Sequence, residues 1–77
     1  MTSANPAQFV KRSVSLSGHR TSVALEQAFW DVIDGAAEAR GQSLASLIAG
    51  IDRRRDPEQN LASALRLFAL AEIQRAG

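Results

Sequence analysis

Seventy-seven residues make room for a single domain, and a chain this short buries only about 60% of the surface it exposes when unfolded, so self-association is a usual route to stability. The absence of cysteine and the single histidine exclude a disulfide framework and a metal site built within one chain, and no cofactor is expected. The net charge of +1 hides a segregation: residues 1–25 carry Lys11, Arg12 and Arg20 with no acid, whereas residues 26–50 carry Glu26, Asp31, Asp34 and Glu38 against Arg40 alone.

Residues 1–10 read as a flexible N-terminal arm, small and polar at first and interrupted by Pro6, ahead of a domain over 11–77. From Arg12 the pattern alternates. Val14 and Leu16 alternate with Ser13, Ser15 and Ser17, Gly18 interrupts, and Thr21, Val23 and Leu25 then alternate with Arg20, Ser22 and Ala24. Period two with β-branched residues predicts extended structure over about 12–25, and Gly18 marks a turn or a kink. The segment is either a short hairpin or a free arm followed by one strand. A lone strand leaves unpaired backbone groups, so its partner comes from 12–16, from a second chain, or from both.

Glu26 changes the period. Phe29, Ile33, Ala36 and Ala37 fall at helical spacing, predicting a helix over about 27–40 that stops at Gly41, with Leu25 as an N-terminal staple. Gly35 weakens this helix by about 1 kcal/mol relative to Ala, which points to close packing there. Ser43 is a natural N-cap, and Leu44, Leu47, Ile48 and Ile51 form the stripe of a second helix over about 44–55, ending in Arg53, Arg54 and Arg55. The run Asp56-Pro57-Glu58-Gln59 is either a cap with Pro at the first helical position or a loop ended by Asn60. A third helix, about 61–75, carries more apolar residues than one face needs, so burial on several sides is expected. The core or dimer candidates are Val23, Leu25, Phe29, Trp30, Ile33, Leu47, Ile48, Ile51, Leu65 and Phe68.

The order strand, helix, Gly-x-Ser, helix resembles the ribbon-helix-helix fold of DNA-binding proteins such as the Arc and methionine repressors. More narrowly, Arg12-Ser13-Val14, Gly18-His19-Arg20-Thr21-Ser22, Phe29-Trp30 and Asn60-Leu61-Ala62-Ser63-Ala64-Leu65-Arg66 are similar to a family of short bacterial proteins with a ribbon-helix-helix domain, over residues 11 to 70. The resemblance implies a mostly α fold in which strands of a homodimer pair antiparallel and enter the major groove. Thr21, Val23 and Leu25 then face the core, and Arg20, Ser22 and Ala24 face bases. A guanidinium at Arg20 suits guanine, the Ser22 hydroxyl donates or accepts, and Ala24 touches a thymine methyl. Phosphate contacts are expected from Lys11 and Arg12 and from the second helix's N-terminus at Ser43 and Leu44. A long polar residue often stands where this chain has Ala24, which weakens the case for strong selectivity.

Other residues have plainer explanations. His19 beside the turn is a local hydrogen-bonding residue, Trp30 is core or interface, and Asp34 with Glu38 is a solvated acidic face. Arg53 to Arg55 complement the helix dipole at an end expected to lie away from the ribbon. No paired nucleophile and base, and no glycine-rich phosphate loop, argue for an enzyme. With no apolar run of about 18 to 20 residues and no secretory signal, the chain is expected to be cytoplasmic and nucleoid-associated. The function implied is DNA binding as a small homodimeric transcriptional regulator, with double-stranded DNA and a second copy as partners. The alternative is an interaction module, antitoxin-like or adaptor, docking a protein through helix 61–75. The short segment after that helix counts against a toxin-binding tail.

Overall fold

The computed structural model describes residues 7–76 and consists of an antiparallel hairpin, β1 (Phe9–Leu16) and β2 (His19–Glu26), followed by α1 (Gln27–Ala39), α2 (Leu44–Arg54) and α3 (Leu61–Ala76). The three helices start where they are expected and end within one residue. β1 starts at Phe9, inside the span expected to be an arm; residues 1–6 of that arm lie outside the described residues.

The hairpin closes through a two-residue turn. Leu16 pairs with His19, and Ser17 (φ 50°) and Gly18 (φ 84°) both adopt the left-handed region, as a type I′ turn requires. This turn matches the right-handed twist of the flanking strands and holds the register along the hairpin to Phe9 opposite Glu26. Both strands of this hairpin therefore come from one chain. Of the partners expected for the second strand, the 12–16 segment is the one found, on one edge of β2; the other edge carries no strand among the described residues.

Each helix end is explained by its sequence. The first amide of α1, at Gln27, donates to the Gln8 carbonyl (2.8 Å), so backbone rather than a side-chain cap satisfies it. α1 ends with Gly41 at φ 65°, where Gln42 N donates to the Ala37 carbonyl and Gly41 N to that of Glu38, the paired bonds of a Schellman stop. Ser43 Oγ accepts from Ser46 N (3.0 Å) and Asn60 Oδ1 from Ser63 N (2.8 Å), capping α2 and α3. Of the two readings of 56–60, the loop ended by Asn60 is the one formed. Arg55 fixes that loop, donating to Asp52 Oδ1 (2.7 Å) and to the Gln59 carbonyl (2.6 Å).

The inner face of the hairpin (Val14, Leu16, Val23, Leu25) closes on Trp30, Ile33, Leu47, Ile48, Ile51 and Leu65 as one core. Eight of the ten core candidates are buried, while Phe29 and Phe68 are half-buried against its margin. Two expectations fail. Gly35 is exposed and a Cβ there would meet nothing within 4 Å, so close packing within the chain does not account for it. α3 buries Ala64, Leu65 and Ala69 but leaves Leu67, Leu70 and Ile73 about half exposed, so it is covered on one side rather than several.

Two outcomes follow. Ser17→Asn, which relieves a left-handed serine in the turn type that prefers Asn-Gly, raises stability by up to about 1 kcal/mol in urea denaturation. The Glu26 carboxyl is held below its ordinary pKa by its own backbone amide and then by the Arg66 guanidinium, whose Nε lies 3.0 Å away. A depressed carboxylate stabilises the fold above its unfolded pKa and loses that contribution as pH falls through the folded one. Glu26→Gln should therefore be the less stable protein at neutral pH, with the gap closing in the acid range below the ordinary carboxylate pKa.

Candidate nucleic-acid interface

Strand parity divides the hairpin into two unlike faces. Phe9, Lys11, Ser13 and Ser15 on β1, with Arg20, Ser22, Ala24 and Glu26 on β2, turn away from the helices. Within this face Lys11 is opposite Ala24, Ser13 opposite Ser22, and Ser15 opposite Arg20. The two cations thus stand at opposite corners, four residue pairs apart, or about 14 Å along the strands. Between them lie only hydroxyls and one methyl, so a polyanion can approach the backbone closely. Lys11 and Arg20 are exposed and have no ion-pair or hydrogen-bond partner among the described residues. Glu26, the one acid on this face, sits at its far end and is neutralised by Arg66.

The base-reading candidates Arg20, Ser22 and Ala24 are brought together as expected, with Ala24 half-buried. Lys11 joins them on the same surface, opposite the Ala24 position that lacks a long polar side chain. Arg12 does not. It lies on the inner face, where its two guanidinium nitrogens donate to Asp34 Oδ1 (2.8 Å) and Oδ2 (3.0 Å) and its plane lies 4.5 Å from the Trp30 ring centroid. A fork held on both prongs and stacked on an indole anchors β1 to α1. Adjacent residues on a strand point to opposite faces, and that parity was the available signal separating Lys11 from Arg12.

Ser43 and Leu44 begin α2, with Ser43 exposed and Leu44 half-buried against the core. The opposite end of α2 is the one near the ribbon's turn: Asp52 and Arg55 line a cleft with Leu16, Ser17, His19, Thr21 and Leu61. This reverses the expectation that the basic end of α2 lies away from the ribbon, and the reason is the hairpin, whose turn reaches over the C-terminal half of α2. Among the described residues no group of three or more His, Cys, Asp or Glu is placed to hold a metal, and no helix is long and apolar enough to cross a membrane.

Against known proteins, residues 9–73 match the ribbon-helix-helix domain family. The chain belongs to the ribbon-helix-helix domain family. Its members are typically DNA-binding transcription regulators or antitoxins, which generally dimerise, and the fold is a non-enzymatic one. No curated protein and no solved structure matches the chain. In this ribbon-helix-helix domain the polar outer face of the ribbon is supplied by both strands of one chain.

The placement of Arg12 makes it a stability residue. Arg12→Ala should cost about 1–2 kcal/mol in chemical denaturation, through loss of a bidentate pair and a cation–π contact, both partly screened by water.

Proposed function

We propose that this protein is a small homodimeric transcriptional regulator that lays the outer face of its ribbon in the major groove of double-stranded DNA. The observation that carries the reading is the outer face itself: two unpaired cations at diagonal corners of a patch of Ser13, Ser15, Ser22 and Ala24, with Phe9 and the Arg66-paired Glu26 beyond the Lys11 end. A ribbon of two strands fits the major groove, and the small residues let its backbone come close to the base edges. Arg20 offers a fork to guanine O6 and N7, Ser22 and Ser13 donate or accept, and Ala24 touches a thymine methyl. Lys11 supplies charge to a phosphate or to a guanine at the other corner. Ser43 and Leu44 offer amides and the positive end of a helix dipole to a flanking phosphate. Arg12 is left out because Asp34 holds it. Such a protein works in the cytoplasm, on the nucleoid.

A second reading, docking of another protein in the manner of an antitoxin or adaptor, is favoured by the exposed Leu67, Leu70 and Ile73 of α3. Selection of random duplexes by the purified protein at physiological salt separates the two, since a pure docking module enriches no sequence.

For the selected duplex, Arg20→Ala is expected to weaken binding by about 1–3 kcal/mol and to relax preference at one base position. Lys11→Ala is expected to weaken binding to all sequences alike and to reduce the slope of log affinity against log salt by about 0.9 per chain. Wild-type affinity and salt slope in both variants would remove the ribbon from the interface.

A further inference from the structure

The outer face of the ribbon carries one side chain that neither folding nor charge accounts for. Phe9, at the open end of β1, is 60% exposed and is the one exposed aromatic among the described residues. Strand parity sets it on the same face as Lys11, with Val10 between them turned toward the core. An aromatic ring suits a strand, but an exposed ring forgoes the burial that makes it worth having.

The surroundings of the ring suit a polyanion. Glu26 stands opposite Phe9 in the register, and its carboxylate accepts from Arg66 Nε at 3.0 Å. The same guanidinium lies over the Phe9 ring, 6.0 Å from the centroid. One arginine thus neutralises the acid at this end of the face and keeps a cation beside the ring.

We propose that Phe9 is a base-reading residue that presses its ring on the 5-methyl group of a thymine at the open end of the ribbon. The inference rests on the reading that the outer face lies in the major groove, and adds a second base to the one that Arg20 reads.

The chemistry of the groove selects the base. Thymine alone presents a methyl group there; guanine and adenine offer N7 with a carbonyl or an amino group, and cytosine offers an amino group. A ring laid on any of those polar edges displaces water and returns no hydrogen bond, a cost that a methyl does not incur. Position agrees: β1 carries Phe9 about 7 Å beyond Lys11 and about 20 Å along the strands from the level of Arg20. That length covers several base-pair rises of about 3.4 Å, so the two residues meet different base pairs. The ends of the ribbon are then chemically unlike, a guanidinium for guanine near the turn and a ring for thymine at the open end, which gives the face a direction on the duplex. The rival occupant is a protein covering Phe9 together with Leu70 and Ile73, which lie one and two turns along α3 from Arg66. The border of the ring favours DNA, because it is made of Lys11 and the Arg66–Glu26 pair, whereas the core of a protein interface is depleted of charge.

The test uses the full chain and a duplex that it selects from a random pool at physiological salt. Exchanging single thymines for deoxyuridine removes one methyl and keeps every hydrogen-bonding group. At one position the exchange should weaken wild-type binding roughly fourfold, the worth of one buried methyl, and should make no difference to Phe9→Ala. On the thymine duplex Phe9→Ala should bind at least about fourfold more weakly than wild type with an unchanged salt slope, since no charge is lost. Phe9→Leu, which keeps an apolar side chain, should retain the preference for the methyl. The wild-type series needs no variant, so it decides the matter even where Phe9→Ala folds poorly. Wild-type affinity unmoved by deoxyuridine at every position overturns the proposal. Methyl effects that all persist in Phe9→Ala belong to Ala24 and overturn it as well, and wild-type behaviour of Phe9→Ala on every duplex overturns it in favour of a protein on this end. Arg20→Ala and Lys11→Ala are read on the same duplexes: where they weaken binding and Phe9 does not matter, this contact alone fails, and where no duplex is selected, the DNA reading fails and this contact with it.

Discussion

The position of the ribbon depends on one buried side chain. Trp30 has no solvent exposure, yet its indole N–H must be satisfied, and it donates to the Val10 carbonyl at 2.8 Å. Leaving that donor unpaired would cost about 1–3 kcal/mol, so β1 is held where its backbone can reach α1. Arg12 then covers the outer side of the ring and ties itself to Asp34. With Val10 and Arg12 both turned inward, strand parity sends Lys11, Ser13 and Ser15 outward beside Arg20, Ser22 and Ala24. The composition of the candidate interface is thus a consequence of how a tryptophan on α1 is satisfied.

Much of this was legible in the sequence where the signal is local. Gly41, Ser43 and Asn60 act at the helix ends through bonds to residues three to five positions away, and their helices fall where those residues place them. The alternation of Thr21, Val23 and Leu25 against Arg20, Ser22 and Ala24 likewise survived folding, because a one-residue slip would expose Val23 and Leu25. The partner of β2 was less legible. Ser17-Gly18 is a weaker turn signal than Asn-Gly, since serine has to enter the left-handed region against its own preference. The partner of Arg12 was illegible for a different reason: strand parity puts Arg12 on the face of Val14 and Leu16, but Asp34, the carboxylate that holds it, is 22 positions away.

The hairpin also changes what the family resemblance means for this chain. A ribbon shared between two identical chains presents each outward residue twice, related by symmetry. Here the outward face pairs unlike strands, so Lys11 stands where a symmetric ribbon would repeat the other strand. The bare Ala24 position then has a cation opposite it, and charge on the face rests on two different side chains rather than one side chain doubled.

That distinction bears on why the chain retains an apolar helix face at all. The radius of gyration, 12.4 Å, is close to the value of about 11.5 Å for a compact chain of this length, and Val14, Leu16, Val23 and Leu25 on the inner face of the ribbon are buried against its own helices. Of the exposed large apolar residues, Phe9 lies on the outer face of β1 with the Arg66 guanidinium over its ring, and Leu67, Leu70 and Ile73 lie on α3. Leu67, Leu70 and Ile73 thus give α3 an exposed apolar side that the core of the single chain does not use, at a distance in sequence from the ribbon that carries the polar face.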